Sequence, residues 1–137
     1  MRKSTLLAPL AAAAMLSTAF VGTAAADGAT TASARDGRCD NLEFCLYYNS
    51  NYRGSVSDHD EQVADLAPYV FKGPGAGRGQ TVKNNAASAC NNMGRYTARV
   101  YYNSNFQGAY DDIDPRSCRN LSRTYNENAS WRWLLVT

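Results

Sequence analysis

The sequence has little of what most catalytic and metal sites require. His59 is its one histidine, lying between Asp58 and Asp60, and no two cysteines have CxxC spacing. A nucleophile activated by histidine needs that histidine as a positioned base, and a zinc site needs several Cys or His ligands. These absences argue against an enzyme and against a structural metal. We interpret His59 as a solvated loop residue.

An excess of one charge and long apolar runs are also missing beyond the first 26 residues. The chain has 14 Lys and Arg and 12 Asp and Glu, and only Arg2 and Lys3 among them precede residue 27, which leaves 12 of each sign. Balanced charge argues against nucleic acid, which requires a concentrated basic face. No later segment is long and apolar enough to cross a bilayer, so we expect no membrane partner.

Residues 1–26 have the features of a secretory signal peptide. Arg2 and Lys3 precede an apolar stretch over residues 6–21, and three alanines at 24–26 provide a small-residue cleavage site. We therefore predict a secreted, extracellular protein. Its mature form would consist of a flexible leader over residues 27–37 and one domain over residues 38–137, which we expect to be a monomer.

The four cysteines, Cys39, Cys45, Cys90 and Cys118, all lie in the mature part. An even number of cysteines in a small secreted chain predicts two disulfide bonds. Three pairings are possible. We favour Cys39–Cys45, which closes a tight loop at the start of the domain, and Cys90–Cys118, which links the two halves.

A run of Tyr-Tyr-Asn-Ser-Asn, an aromatic residue, any residue and Gly occurs twice, at residues 47–54 and 101–108. A second match, ending in a serine, relates residues 84–88 to residues 126–130. The first half has extra residues between its two matches, near the Gly- and Pro-rich segment 71–80, which is a loop by composition. We assign repeat one to about residues 44–95 and repeat two to about residues 98–137.

Local signals within each repeat favour strands. Residues 44–48 and 99–102 are aromatic and β-branched, and each run is followed by Asn-Ser-Asn, which is typical of turns. Residues 131–136 predict a last, deeply buried strand. Helix signals are poor, so the fold class is all-β.

These motifs resemble the signature of the βγ-crystallin Greek key. The wider pattern, including the N-terminal cysteine pair and the Trp-rich C-terminus, resembles peptidase inhibitor family I36 over about residues 38–137. The resemblance implies a βγ-crystallin-like sandwich of two four-stranded Greek keys. It also implies a folding role, not a binding role, for the residues that match the signature: Tyr47, Tyr52, Gly54, Ser88, Tyr101, Phe106, Gly108 and Ser130.

The resemblance further implies inhibition of an extracellular protease, and the family includes inhibitors of metalloproteases. Such inhibitors need an exposed, stiff loop, because preorganisation supplies much of the affinity. Two loops qualify; their candidate residues are Phe71, Lys72, Gly73 and Arg78 in the first, and Asp114, Pro115 and Arg116 in the second. Known inhibitors of the family carry their reactive bond in a second small disulfide loop that this chain lacks, so no reactive bond is transferred.

Many microbial βγ-crystallins bind calcium through two Asn or Asp residues, two spacers and two Ser or Thr residues. The matching candidates are Asn84, Asn85, Asn126 and Glu127, but Ala89 and Trp131 replace the second Ser or Thr. We expect weak or no calcium binding and no other cofactor. A structural or weakly calcium-binding βγ-crystallin and an antifungal protein resembling killer toxin remain the alternative functions.

Overall fold

The computed structural model describes residues 35–137, so the predicted signal peptide and residues 27–34 of the predicted leader lie outside the described residues. The described part contains no helix that could cross a membrane. Its regular structure consists of strands. They are β1 (Phe44–Asn49), β2 (Arg53–His59), β3 (Ser88–Asn91), β4 (Tyr96–Asn103), β5 (Gln107–Ile113), β6 (Ser117–Asn120) and β7 (Ser130–Leu135).

The strands form two antiparallel sheets that exchange strands between the repeats. One sheet has the order β2-β1-β3-β6, and the other has the order β5-β4-β7. Thus β6 of repeat two pairs with β3 of repeat one, while Val63 of repeat one forms an isolated bridge with Trp131 of β7. The predicted Greek-key sandwich is confirmed. The second sheet differs from the expected four strands, because its fourth strand is reduced to the Val63 bridge.

One apolar core lies between the sheets. Phe44 from β1 packs against Trp131 from β7 with ring centroids 4.5 Å apart, and Trp133 contacts both rings. Leu46 and Val100 come from the two facing sheets and are fully buried beside them. Burying each large apolar side chain stabilises the fold by about 1.5–3 kcal/mol.

The last strand is less buried than the sequence suggested. Trp131 is inaccessible to solvent, but Leu135 is 64% exposed and Val136 is 54% exposed. Because β7 pairs with β4 along its length but meets Val63 at only one point, its C-terminal half has one covered side. The prediction of a strand is therefore right, whereas the prediction of deep burial holds only for its beginning.

The repeated motif makes the same corner in each half of the molecule. In repeat one, the Ser88 hydroxyl donates to the Asn49 carbonyl at 2.6 Å and accepts from the Tyr52 amide at 3.0 Å. The Tyr52 ring lies 6.4 Å from the Tyr47 ring, edge to face. Gly54 follows with φ of 77°, a conformation that costs a residue with a Cβ about 1 kcal/mol or more.

Repeat two reproduces this corner nearly atom for atom. The Ser130 hydroxyl donates to the Asn103 carbonyl at 2.6 Å and accepts from the Phe106 amide at 3.0 Å. The Phe106 and Tyr101 rings lie 6.0 Å apart, and Gly108 has φ of 84°. The eight residues that match the signature therefore close the two hairpins.

All four cysteines are bonded as Cys39–Cys45 and Cys90–Cys118, which confirms the favoured pairing. Cys90 and Cys118 face each other across β3 and β6, so this bond joins the two repeats within one sheet. Cys39–Cys45 ties the chain preceding β1 to that strand. We refer to residues 39–45 as the disulfide loop.

Two sequence-based interpretations near β2 need correction. His59 is 1% exposed and packs against Tyr69 and Trp131, so it is a core residue and not a solvated loop residue. The end of the predicted flexible leader is also fastened. The amides of Asp36 and Gly37 donate to the buried Asp58 carboxylate at 2.8 and 2.9 Å.

Candidate functional site

The Gly- and Pro-rich segment 71–80 forms a closed loop, which we call the insertion loop. Val70 and Thr81 form an isolated bridge at its base. Just inside, the Phe71 amide donates to the Gln80 carbonyl at 3.0 Å, and the Gly79 amide donates to the Phe71 carbonyl at 2.8 Å. These backbone bonds hold the two ends of the loop together.

The insertion loop also lies against the outer edge of β2. The amides of Lys72 and Gly73 donate to the Val56 carbonyl at 3.0 and 3.1 Å, and the Ser55 amide donates to the Ala76 carbonyl at 2.8 Å. The Ser55 hydroxyl donates to the Gly73 carbonyl. The loop therefore covers backbone groups that an edge strand otherwise presents to solvent.

Aromatic rings support the loop from beneath. Tyr48 packs edge to face on Phe71 with centroids 5.6 Å apart. Gly77 lies so close to the Tyr48 ring that a Cβ at this position would be 2.1 Å from its nearest ring atom. The loop is stiff because both its backbone bonds and this ring contact fix its path.

Of the four candidate contact residues in the insertion loop, only two are exposed to solvent. Lys72 and Arg78 are exposed, whereas Phe71 is 1% exposed and Gly73 is buried. Phe71 is a core residue because its ring fills the space under the loop, and Gly73 faces Gly37 and Val56. These two residues are unavailable for direct contact with a partner, which corrects their assignment as contact residues.

The second candidate set forms a tight turn between β5 and β6. The Ser117 amide donates to the Asp114 carbonyl at 3.2 Å, Pro115 occupies the second position, and Arg116 has φ of 57°. The Arg116 side chain is exposed but not free, since its Nη1 donates to the Asn41 Oδ1 at 2.9 Å. The structure thus joins this turn to the disulfide loop.

Leu42, at the apex of the disulfide loop, is an exposed residue that the sequence motifs did not reveal. Leu42 is 51% exposed and has φ of 68°. Its amide donates to the Asn92 carbonyl at 3.3 Å, and the Asn92 amide donates to the Glu43 carbonyl at 2.9 Å. The short spacing of Cys39 and Cys45 was the available signal, because a loop that small projects its middle residues outward.

The calcium candidates line two polar depressions, each formed by both repeats. Asn84 and Glu127 line a depression of about 230 Å³, and Asn85 and Asn126 line another of about 330 Å³. Within residues 35–137, no three His, Cys, Asp or Glu side chains gather as a metal-ligand group. The four calcium candidates therefore lie as two separate pairs, and Glu127 is the one carboxylate that lines either depression.

An ammonium group lies in the first depression. Lys83 Nζ donates to Asp65 Oδ1 at 2.9 Å and to Ser104 Oγ at 3.0 Å, and this ion pair lowers the pKa of the Asp65 carboxyl. Lys83 thus brings a positive charge to the depression that Asn84 and Glu127 line. The equivalent position in the second depression is Tyr125, an uncharged residue.

The chemistry of His59 is that of a buried neutral ring. Its Nε2 lies 2.9 Å from the Ser57 hydroxyl. Burial, together with the positive charge of Arg35, lowers the pKa of His59 to about 3. A serine and a histidine are therefore hydrogen bonded here, but both are buried in β2, where no substrate reaches them.

The model of peptidase inhibitor family I36 matches residues 32–113, which is more than half of the 137 residues. The chain belongs to peptidase inhibitor family I36. The matched region includes the disulfide loop and the insertion loop and ends before the Asp114–Ser117 turn. No curated protein sequence matches the chain.

Two solved structures share the fold of this I36 family member. One, from work on the evolution of the eye-lens βγ-crystallin domain fold, is 13% identical with a TM-score of 0.54, and the match covers 74% of this chain and 93% of the other. The other, the N-terminal domain of Protein S, is 20% identical with a TM-score of 0.51, covering 69% and 97%. At these identities the likeness concerns the fold alone.

Proposed function

We propose that the chain is a secreted, non-enzymatic inhibitor of an extracellular metalloprotease and that the insertion loop forms part of its contact surface. Membership of family I36 supports peptidase inhibition in general. The fastened insertion loop is the structural observation that carries the rest of the proposal. A loop that is ordered before binding loses little conformational entropy when it enters a protease cleft.

The exposed positions of the insertion loop suit a protein partner. Lys72 and Arg78 stand on either side of the exposed Pro74. Gly75, Gly77 and Gly79 have φ of 106°, 87° and 82°, so the backbone bends repeatedly and is not extended like a substrate. The proposed loop would block access to a cleft without presenting a peptide bond for cleavage.

Two further observations support a non-enzymatic role. His59 is buried and has a lowered pKa, and all four cysteines are in disulfide bonds, so neither residue type offers an accessible nucleophile or base. The disulfide bonds are consistent with an oxidising, extracellular location. A calcium-binding βγ-crystallin is the weaker alternative, because Lys83 places a positive charge in one of the two candidate depressions.

The proposal is tested by titrating the mature protein into thermolysin, subtilisin and trypsin. We expect inhibition of thermolysin at or below micromolar protein, with the inhibitor recovered intact by mass spectrometry. The variant with both Lys72→Ala and Arg78→Ala should inhibit less well, while Arg123→Ala, another exposed cation, serves as the matched control. Absence of inhibition of all three proteases at micromolar protein would rule out the proposal.

A further inference from the structure

The apex of the disulfide loop carries an exposed apolar side chain on a strained backbone. Leu42 is 51% exposed and belongs to neither apolar cluster of the described residues. Its backbone has φ of 68°, in the left-handed region that favours Gly, Asn or Asp. An aliphatic residue at this position is therefore unfavourable for its backbone, and its side chain gains only part of the stabilisation of full burial.

Six of the other eight non-glycine residues with positive φ have identifiable reasons to be there. The non-glycine residues in this region other than Leu42 are Arg35, Asn51, Tyr52, Asn84, Asn105, Phe106, Arg116 and Asn126. Asparagine tolerates the conformation, and the rings of Tyr52 and Phe106 close the two corners. Leu42 is the one aliphatic residue of the set, and no core contact accounts for it. Strained residues of this kind are concentrated at functional sites.

The loop beneath Leu42 is rigid. The Cys39–Cys45 bond closes it, and Asn92 holds it through two backbone bonds to Leu42 and Glu43. The Asn92 side chain also donates to the Asp40 carbonyl at 2.9 Å. The side chain of Leu42 is consequently presented in one place, so little order has to be gained on binding.

A second strained residue lies beside Leu42. The amide of Arg116 donates to the Met93 carbonyl at 3.1 Å, next to the Asn92 carbonyl that accepts from Leu42. The Arg116 side chain reaches back to Asn41, which precedes Leu42. Two residues with positive φ, one apolar and one cationic, are therefore held at adjacent points, Asn92 and Met93, of the segment between β3 and β4.

We propose that Leu42 is the apolar anchor of the inhibitor and enters the specificity pocket of an endopeptidase that selects large apolar side chains, with Arg116 contacting the rim of the cleft. This inference rests on the proposed function. Glu43, the next residue, is 3% exposed, so the chain enters the domain directly after Leu42 and only the apex of the loop stands outside. The disulfide loop acts as a plug that the protease does not cut.

The anchor is tested with Leu42→Asn, since asparagine keeps the left-handed backbone and removes the apolar side chain. Leu135→Asn is the matched control, because Leu135 is also an exposed leucine, 64% accessible, at the end of β7 and outside both proposed contact loops. The full secreted chain and both variants are titrated into thermolysin, which prefers large apolar side chains, and into trypsin, whose pocket is acidic. Thermal unfolding of each variant is measured in parallel.

We expect wild type to inhibit thermolysin and not trypsin, Leu42→Asn to weaken inhibition by at least about tenfold, and Leu135→Asn to leave it unchanged. Leu42→Asn should unfold at the same or a higher temperature. Equal inhibition by Leu42→Asn and wild type would overturn the anchor and leave the proposed function standing. Inhibition of trypsin alone, or cleavage on either side of Leu42, would also overturn it, and no inhibition by wild type would overturn both proposals.

Discussion

One pair of residues that face each other on neighbouring strands has a different role in each repeat. In repeat two, Arg99 faces Asp112 across β4 and β5, with Nε and Nη2 donating to the carboxylate at 2.6 and 2.8 Å. In repeat one, Cys45 faces Asp58 across β1 and β2. There the cysteine forms the disulfide loop and the carboxylate holds the N-terminal segment. The same pair of positions thus forms a surface ion pair in repeat two, whereas in repeat one it fastens the chain that precedes β1.

The outer edge strands of the two repeats, β2 and β5, also differ, and again repeat one holds additional chain. The insertion loop covers β2, whereas in the described part of the chain no segment pairs with the outer edge of β5. The corners built on Ser88 and Ser130 are meanwhile nearly identical. The comparison indicates that the corners specify the scaffold and that repeat one carries the added, candidate functional loops.

The largest expected effect is on stability and distinguishes two glycines of the insertion loop. Gly77→Ala should destabilise the protein by about 3 kcal/mol, because the added Cβ would overlap the Tyr48 ring in addition to straining a positive φ. Gly79 has a similar φ of 82° but nothing within 4 Å of its Cβ position. Gly79→Ala should therefore cost only about 1 kcal/mol. Urea unfolding of both variants measures the difference, and equal costs would mean that the loop is not held on Tyr48.

The pH dependence of stability should reflect His59. Its pKa is lowered from 6.5 to about 3 in the folded protein, so the unfolded state binds the proton first as the pH falls. The contribution of His59 is intact above pH 6.5 and should decrease on acidification, by about 3 kcal/mol near pH 4. His59→Gln, which cannot titrate, should show a shallower decline in unfolding free energy. Parallel pH profiles for variant and wild type would contradict the assignment.

Replacing each cross-strand aspartate tests the difference between the repeats. Asp58→Ala should cost about 2–3 kcal/mol, because it leaves the amides of Asp36 and Gly37 without their buried acceptor. Asp112→Ala removes a partly exposed ion pair and should cost about 1 kcal/mol or less. Chemical denaturation of both variants provides the comparison. A larger loss from Asp112→Ala would reverse the roles assigned to the two positions.

The smallest effect concerns calcium. Wild type should show little change in melting temperature with millimolar calcium, because Lys83 already supplies a positive charge to Asp65 and Ser104. Lys83→Ser should show a larger shift, since it removes that charge and adds an oxygen ligand. Tyr125→Ser is the matched variant in the second depression. A marked stabilisation of wild type by calcium would contradict the expectation of weak binding.

The sequence was most informative where structure depends on local contacts. The Asn-Ser-Asn turns, Gly54 and Gly108 specify hairpin geometry within a few residues, so the all-β fold followed from them. His59 was misplaced because polar residues surround it in the chain, whereas in the structure β2 is buried both by the core and by the insertion loop. Leu42 was missed because its environment depends on Asn92, which is far away in sequence.

We expect the disulfide loop and the insertion loop, both in the first half of the domain, to contact the protease. Hydrogen exchange of the backbone amides, compared between the free protein and its complex with inactivated thermolysin, would locate this contact surface. Exchange should slow in the disulfide loop and the insertion loop and stay unchanged along the outer edge of β5. Slowed exchange along β5 with no effect on either loop would contradict it.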